Sequence, residues 1–562
     1  MTTSLKAGYT DGRVRCRGPV EDTGTIPRVW MMHSHCEWNK PLRKLVYQSF
    51  RQEKSVVSDD LRTAVRCAGV LFLEETMKDL TKDLLILLAG FIMLGFSGSA
   101  LNVSLFVFLW PACLLWFLHR HQSLKALIPV WLAYCLVLAV HYGDSAGTGS
   151  LLTSGWFTFR YAIFAFLPFV ADFFLYRHLP GALKVLLFPF AVAAGEFLIQ
   201  LTHFSLMNNF GYALLGQELI QTVSVIGLYG LSGLIAAVSS VLVYVFENRE
   251  NLKNALKPAC ILACILLVCS FYSGIRLYGD VKADTPTVRT ALASGPELGF
   301  TEDGEWEVLS LEENIASMEN SFAEAAQSGA KLICFCEEAF AIANYDEEAF
   351  VAEIRKLAAQ YGMYANVPLE VDDFDGSMDG MSLNKCWFVD PEGNIMVNYT
   401  KSMLVPVIET PYFIAGDGVI PSFEMNLEGQ SVKSALSICY DGDFVQYTRT
   451  MPSDTAVWFN PSWEWQEVHK FHSGTIAVRA IENGVNLVKP TYEGLSVIAD
   501  TRGRYLVCDS NLLNGVAVGD LPLTGEVTVY GQFGHILNAL YTAGFALLAG
   551  FAVYRFAKNR KA

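Results

Sequence analysis

The sequence predicts a membrane protein: an α-helical transmembrane bundle of about eight spans carrying a water-exposed α/β layered domain. Three observations predict it. The 562 residues are 52% hydrophobic with a mean hydropathy of +0.32, too apolar for a soluble globular chain and too charged for a bare bundle. Apolar runs close to the ~20 residues that cross a hydrocarbon core crowd the chain before residue 280, and one more follows residue 530. Between them, short β-prone runs alternate with helical stretches. The net charge of −15 argues against a nucleic-acid partner. The 13 cysteines fall mostly as singles with no repeated ligand spacing, so neither a metal site nor a disulfide framework is expected.

Residues 1–76 are polar and broken by Gly8, Gly12, Gly18, Pro19, Gly24 and Pro27. They read as a disordered tail, or as a stretch ahead of a true start at Met77, and they lack the pattern of a signal peptide. Residues 77–279 hold seven expected spans, near 84–99, 101–118, 125–142, 157–176, 183–203, 219–246 and 258–277. The first two are short and read as a hairpin turning at Gly95-Phe96-Ser97-Gly98. The eighth, near 535–556, lies in a C-terminal segment, 531–562, that ends in a basic tail. Lys and Arg concentrate on alternate loops, with Arg120 and Lys125, Arg177 and Lys184, then Arg249, Lys253 and Lys257, whereas 143–156 and 204–218 contain neither. The positive-inside pattern puts both termini in the cytoplasm and residues 280–530 outside it. Asp172 and Glu196 fall within spans, where a carboxylate marks either function or an interhelical hydrogen bond. The aromatic and amide residues of loop 204–218 suit a membrane surface where a lipid enters.

Within 280–530, three expected strand ends carry reactive side chains. Lys331–Phe335 leads to Glu337, Ile395–Tyr399 to Lys401, and Ala435–Cys439 ends on a thiol before an Asp-Gly turn. Reacting groups in open α/β sheets gather beyond strand ends. Glu337 then suits a general base, Cys439 a nucleophile and Lys401 a cation for a developing oxyanion. Backbone N–H groups beyond the strand are expected to favour thiolate at Cys439; a buried structural cysteine is the alternative. Period two along the strand is expected to turn Glu338 away from Glu337.

Glu337, Lys401 and Cys439, in this order and context, resemble the Glu-Lys-Cys triad of the nitrilase superfamily. Tyr399-Thr400-Lys401 through Leu404-Val405-Pro406 and Glu409, Ile438-Cys439-Tyr440-Asp441, and Arg479-Ala480-Ile481-Glu482-Asn483-Gly484 are similar to motifs of the apolipoprotein N-acyltransferases, as is the order of spans, domain and final span over roughly 84–556. The resemblance implies an α-β-β-α sandwich, catalysis through a Cys thioester without metal or organic cofactor, a phospholipid acyl donor and an apolipoprotein acceptor. It also implies a multi-pass protein of the bacterial inner membrane with the catalytic domain extracytoplasmic. Glu409, Tyr440 and Asp441 take supporting roles on this reading, and Glu196, Trp463 and Trp465 are candidates for substrate binding. The chain departs from the pattern at Phe335-Cys336, Val407-Ile408, Asp441 and Pro461-Ser462-Trp463-Glu464-Trp465. These altered flanks leave room for another acyl transfer or an amide hydrolysis with the same triad, or for a silent scaffold.

Overall fold

A computed structural model describes residues 8–10, 13–15, 79–98, 102–142, 151–202, 209–279, 285–296, 309–465, 468–510, 512 and 515–561. The chain divides into two units, Met1–Leu80 and Thr81–Ala562. In the first, Gly8–Thr10 pairs antiparallel with Arg13–Arg15; most of the expected 1–76 extension lies outside the described residues. Everything below concerns the second unit.

Among the described residues, six helices are long and apolar enough to cross a membrane: Leu124–His141, Thr158–His178, Gly181–Gln200, Glu218–Glu247, Lys253–Tyr278 and Val529–Arg560. The first two of the eight expected spans are shorter. One is a helix over 79–95 and the other the apolar segment Ser104–Arg120. The turn expected between them closes where the Val103 N–H donates to the Phe96 carbonyl at 2.8 Å. Asp172 serves as an interhelical tie: the His119 ring meets it at 2.5 Å through Nε2 and meets Glu247 at 2.7 Å through Nδ1.

The helix Val223–Glu247 is broken at Gly227, whose φ of 70° and ψ of 171° are not helical. A Cβ at this position would overlap the Tyr530 ring, so glycine is required both by the backbone angle and by the packing. The break frees the Leu228 N–H, which donates to Glu482 Oε1 at 2.6 Å. An unpaired backbone donor buried here would be costly. A carboxylate from another part of the chain satisfies it.

Two sheets stack in the other half of the unit. One runs in the order Val516–Pro522, Thr287–Ala293, Leu332–Phe335, Tyr364–Asp372, Leu383–Val389, Ile395–Thr400, with Phe340–Ala343 added beside Tyr364–Asp372. The other runs Tyr505–Asp509, Ser496–Ala499, Asn486–Lys489, Val457–Phe459, Gln430–Leu436, Ser422–Leu427. Strands that follow a crossover helix pair in parallel, as short chain returns cannot make them. Alternation of side chains along each strand divides the apolar residues between two cores. Leu292, Cys334 and Phe388 of the first sheet meet Leu436, Phe459 and Val488 of the second. Ala291, Ile333 and Phe335 face the helices Leu311–Gln327 and Glu347–Tyr361 through Phe322, Phe350 and Ile354.

The helix His469–Asn483 covers the second sheet. Ile476, Ala477 and Ala480 pack with the apolar residues of that sheet, while Val478 and Ile481 pack into the core of the membrane helices. The layers are therefore helix, sheet, sheet, helix, with the last helix shared with the bundle. The sequence pattern missed the strands Phe340–Ala343, Ser422–Leu427 and Val516–Pro522. The first and third are short or half-buried, and the second is a polar edge strand with little apolar alternation.

Candidate active site

Cys439 stands in a tight turn, Cys439–Asp443, and not at the end of a strand as expected, since the strand stops at Leu436. Its φ is +44°, in the left-handed region. A non-glycine residue held there costs about 1–3 kcal/mol and persists only when its surroundings fix it. They do so here. The Cys439 N–H donates to the Pro461 carbonyl at 2.8 Å, and Asn460 Nδ2 donates to the Cys439 carbonyl at 3.2 Å. Asp441 ties down the turn from behind: Oδ2 accepts from the Ile438 N–H and the Tyr399 hydroxyl, and Oδ1 from the Ser402 and Met403 N–H groups. One carboxylate thus fixes the nucleophile turn to the segment that carries the lysine. Burial lifts the Asp441 carboxyl to about 6.

Lys401, Glu337 and Glu409 form a buried charge cluster. Lys401 Nζ lies 2.6 Å from Glu337 Oε1 and 2.5 Å from Glu409 Oε1. The second oxygen of Glu409 accepts the Val405 N–H at 2.8 Å, and the second oxygen of Glu337 accepts the Trp463 N–H at 2.7 Å. The Cys439 thiol points at the Trp463 carbonyl, 3.8 Å away. Trp463 therefore enters the site through its backbone, which sets the base and meets the thiol, while its ring stacks edge-to-face on Tyr492 at 5.3 Å.

The thiolate expectation does not hold. Burial and the Glu337 charge push the Cys439 thiol well up, against the pull of Lys401 and Lys489. The resting residue is a thiol, and it needs a base to become a nucleophile. The Glu337 carboxylate that raises it also accepts the N–H of Trp463, the residue whose carbonyl the thiol meets. Lys401 stays charged: burial disfavours its ammonium, but Glu337 and Glu409 outweigh that.

The expected separation of Glu337 and Glu338 also fails. The strand ends at Phe335, so period two no longer applies, and Glu338 has a φ of +51°. Both carboxylates accept from Asn384 Nδ2, at 2.8 and 2.7 Å. Carboxylate oxygens of Glu337, Glu338 and Glu409 lie within 4.8 Å of one another. Such a trio is a familiar set of ligands for a cation, but the Lys401 ammonium already bonds two of the three.

Tyr440 follows the nucleophile and is hydrogen-bonded to Tyr161 of the membrane helix Leu151–Ala165. Gln446, just beyond, donates to the Gln200 carbonyl at the end of another membrane helix. The segment that bears the nucleophile is thus fastened to the bundle. Glu196, an expected substrate contact, accepts the Phe210 N–H at 2.9 Å and braces the turn Phe210–Leu214; no contact joins it to the triad among the described residues. Trp465 is half-buried two residues beyond Trp463.

Sequence reasoning missed Asn384 and a second buried network behind the nucleophile. His472 lies 2.6 Å from Glu464 and 3.2 Å from Asp443, and Lys489 pairs with Glu464. Arg479, fully buried, meets Glu482 at 2.7 Å and reaches the Asp443 carbonyl at 3.4 Å. The signals in the sequence were the Arg479–Gly484 motif and a concentration of charge among otherwise apolar residues.

Residues 301–526 match the carbon–nitrogen hydrolase family. The chain is 26% identical over 377 residues to an apolipoprotein N-acyltransferase of Geobacter metallireducens, covering 62% of this chain and 71% of the relative. It is 25% identical over 417 residues to an apolipoprotein N-acyltransferase of Rhodopseudomonas palustris, covering 68% and 76%. Among solved structures, an amidase from Nesterenkonia sp. is 20% identical, with a TM-score of 0.36 over 45% of this chain and 95% of the amidase.

Proposed function

We propose that this chain, an acyltransferase-like protein with a carbon–nitrogen hydrolase domain joined to apolar helices, moves an acyl chain from a phospholipid through a thioester on Cys439 to an amine. The acceptor is the α-amino group of a diacylglyceryl-cysteine at an apolipoprotein N-terminus. The observation that carries the reading is the buried cysteine at φ +44° beside Glu337 and Lys401, in a turn hydrogen-bonded to one membrane helix through Tyr440 and followed by Gln446, which bonds another.

Glu337 takes the Cys439 proton, and the sulfur attacks the ester carbonyl of the donor. Lys401 and the Tyr440 backbone N–H stabilise the tetrahedral oxyanion. The intermediate collapses with loss of the lysophospholipid, which takes its proton from Glu337, and the thioester remains. The neutral amine then attacks the thioester carbon, Glu337 takes one of its protons, the C–S bond breaks, and the proton returns to Cys439. Glu409 and Asn384 keep Glu337 and Lys401 in register, and Asp441 holds the turn. Both substrates are anchored in a bilayer, so a catalytic turn fastened to membrane helices brings them to one sulfur. In this reading the carbon–nitrogen hydrolase domain faces the outside of the bacterial inner membrane.

The test is mass spectrometry of lipoprotein N-termini from cells with and without the protein, together with the purified protein incubated with phospholipid. The reading requires an N-acyl group that depends on the protein, and a hydroxylamine-labile acyl adduct on Cys439. An adduct on Cys336, or N-termini unchanged by its loss, would refute it.

A further inference from the structure

We propose that Glu338 is a specificity-determining residue for the second half-reaction: it receives the primary ammonium of the amine acceptor at the mouth of the site and holds that nitrogen toward the acyl carbon on Cys439. The inference rests on the acyl-transfer reading above.

Four observations converge on this side chain. Its backbone is held in the left-handed region at φ +51°, where a side chain other than glycine is strained, and this strain brings its carboxylate back among the reacting groups. Its oxygen lies within 4.8 Å of carboxylate oxygens of Glu337 and Glu409. Lys401, the cation of the cluster, hydrogen-bonds to Glu337 and Glu409 but not to Glu338. The Asn384 amide group divides its donors between Glu337 and Glu338, and its own oxygen is buried with no hydrogen-bond partner among the described residues.

The cluster therefore holds more acceptors than donors, and more negative charge than positive. An ammonium brings three N–H donors and one positive charge, which is what the surplus lacks. Position favours the same ligand. Glu337 is 2% exposed and Lys401 fully buried, whereas Glu338 and Glu409 are both half-buried; of these two, Glu409 already bonds the Lys401 ammonium and Glu338 does not. Burial together with the Glu370 and Glu337 carboxylates pushes its carboxyl well up, and an arriving cation reverses that effect. No bond forms or breaks at Glu338. The ammonium loses one proton to solvent, the neutral amine keeps an N–H hydrogen bond to the Glu338 carboxylate, and the second proton goes to Glu337 as the nitrogen attacks.

The experiment separates the two half-reactions in the full-length protein in mixed phospholipid–detergent micelles. Cys439 is loaded from a phospholipid, and the thioester is then chased with a diacylglyceryl-cysteine peptide bearing a free α-amine. Glu338→Gln should pass the acyl group to the peptide ~10–100-fold more slowly relative to its own loading rate, the range for loss of one hydrogen bond to a charged group. The KM for the peptide should rise, and transfer to the peptide should fall more than hydrolysis of the thioester by water, so that the ratio of transfer to hydrolysis drops. Glu338→Gly tolerates the backbone angle and should show the same defect without loss of thermal stability, which a merely structural role would not produce. Transfer at the wild-type ratio in either variant overturns the inference alone. Slowed loading from an ethanolamine-headed phospholipid but not from a glycerol-headed one also overturns it, by assigning the ammonium to the donor. A wild-type protein that forms no thioester overturns the acyl-transfer reading and this inference with it.

Discussion

Replacing Lys401 with Met isolates what one buried ammonium does. The side chain is fully buried and lies 2.6 and 2.5 Å from two carboxylates. Met fills similar space but leaves Glu337 and Glu409 facing each other with no cation between them. Breaking a buried ion pair by removing one partner costs about 3–5 kcal/mol, so the melting temperature in detergent should fall. On the chemical side, loss of a donor aimed at the oxyanion costs ~10²–10³ in rate. The Cys439 thiol also loses the cation that offsets Glu337, which lowers the thiolate fraction further. The assay is single-turnover formation of the acyl thioester on Cys439, followed by mass spectrometry. A second variant, Lys401→Met with Glu409→Gln, removes one of the two stranded carboxylates; it should recover much of the stability and little of the rate. If the double variant recovers the rate along with the melting temperature, Lys401 is only a counter-ion and the oxyanion role is wrong.

Three further outcomes follow from other parts of the molecule. Gly227→Ala should destabilise the protein severely, because the added Cβ meets the Tyr530 ring at a backbone angle alanine avoids; thermal melting in detergent checks it, and a wild-type midpoint would mean that the helix break is not needed. Burial opposes charge on His472, but Asp443 and Glu464 outweigh it and lift the imidazole from 6.5 to about 9. Its contribution to stability should be complete below pH ~6.5 and lost as pH rises through about 9, and His472→Gln should flatten that part of a melting-versus-pH curve. A reporter active only in the cytoplasm, fused after Gly279, should be silent if the basic loops set the orientation.

The layered domain was legible because its strands and helices follow simple periods, and the helix Leu311–Gln327 even announces its start with the Ser310/Glu313 capping box. Glu337 and Lys401 were legible from position: each follows a strand end by one or two residues. The strand before Cys439 was expected to run three residues too far, since Ile438 continues the apolar pattern after the strand has ended at Leu436. Glu338 was placed on the wrong side because a rule for strands was carried past the last strand residue. Asn384, His472 and Glu464 could not be found in this way: each comes from a different segment, and only the folded chain makes them neighbours. The break at Gly227 was hidden for another reason. One glycine in a long apolar run carries no sign of the Tyr530 ring that requires it, some 300 residues away.

The helix His469–Asn483 bears on how this protein can be handled. Val478 and Ile481 belong to the bundle's apolar core, and Glu482 satisfies a backbone donor in a membrane helix. A fragment cut at the chain's polar boundaries would therefore expose two core side chains to water and leave the fully buried Arg479 and Glu482 beside an open face. Such a fragment should aggregate, unless Val478 and Ile481 are made polar and the Arg479–Glu482 pair is replaced together. Even then, the turn bearing the thiol would lose Tyr161 and the Gln200 carbonyl as supports. Solubility and an assembled nucleophile are competing goals in any excised form of this domain.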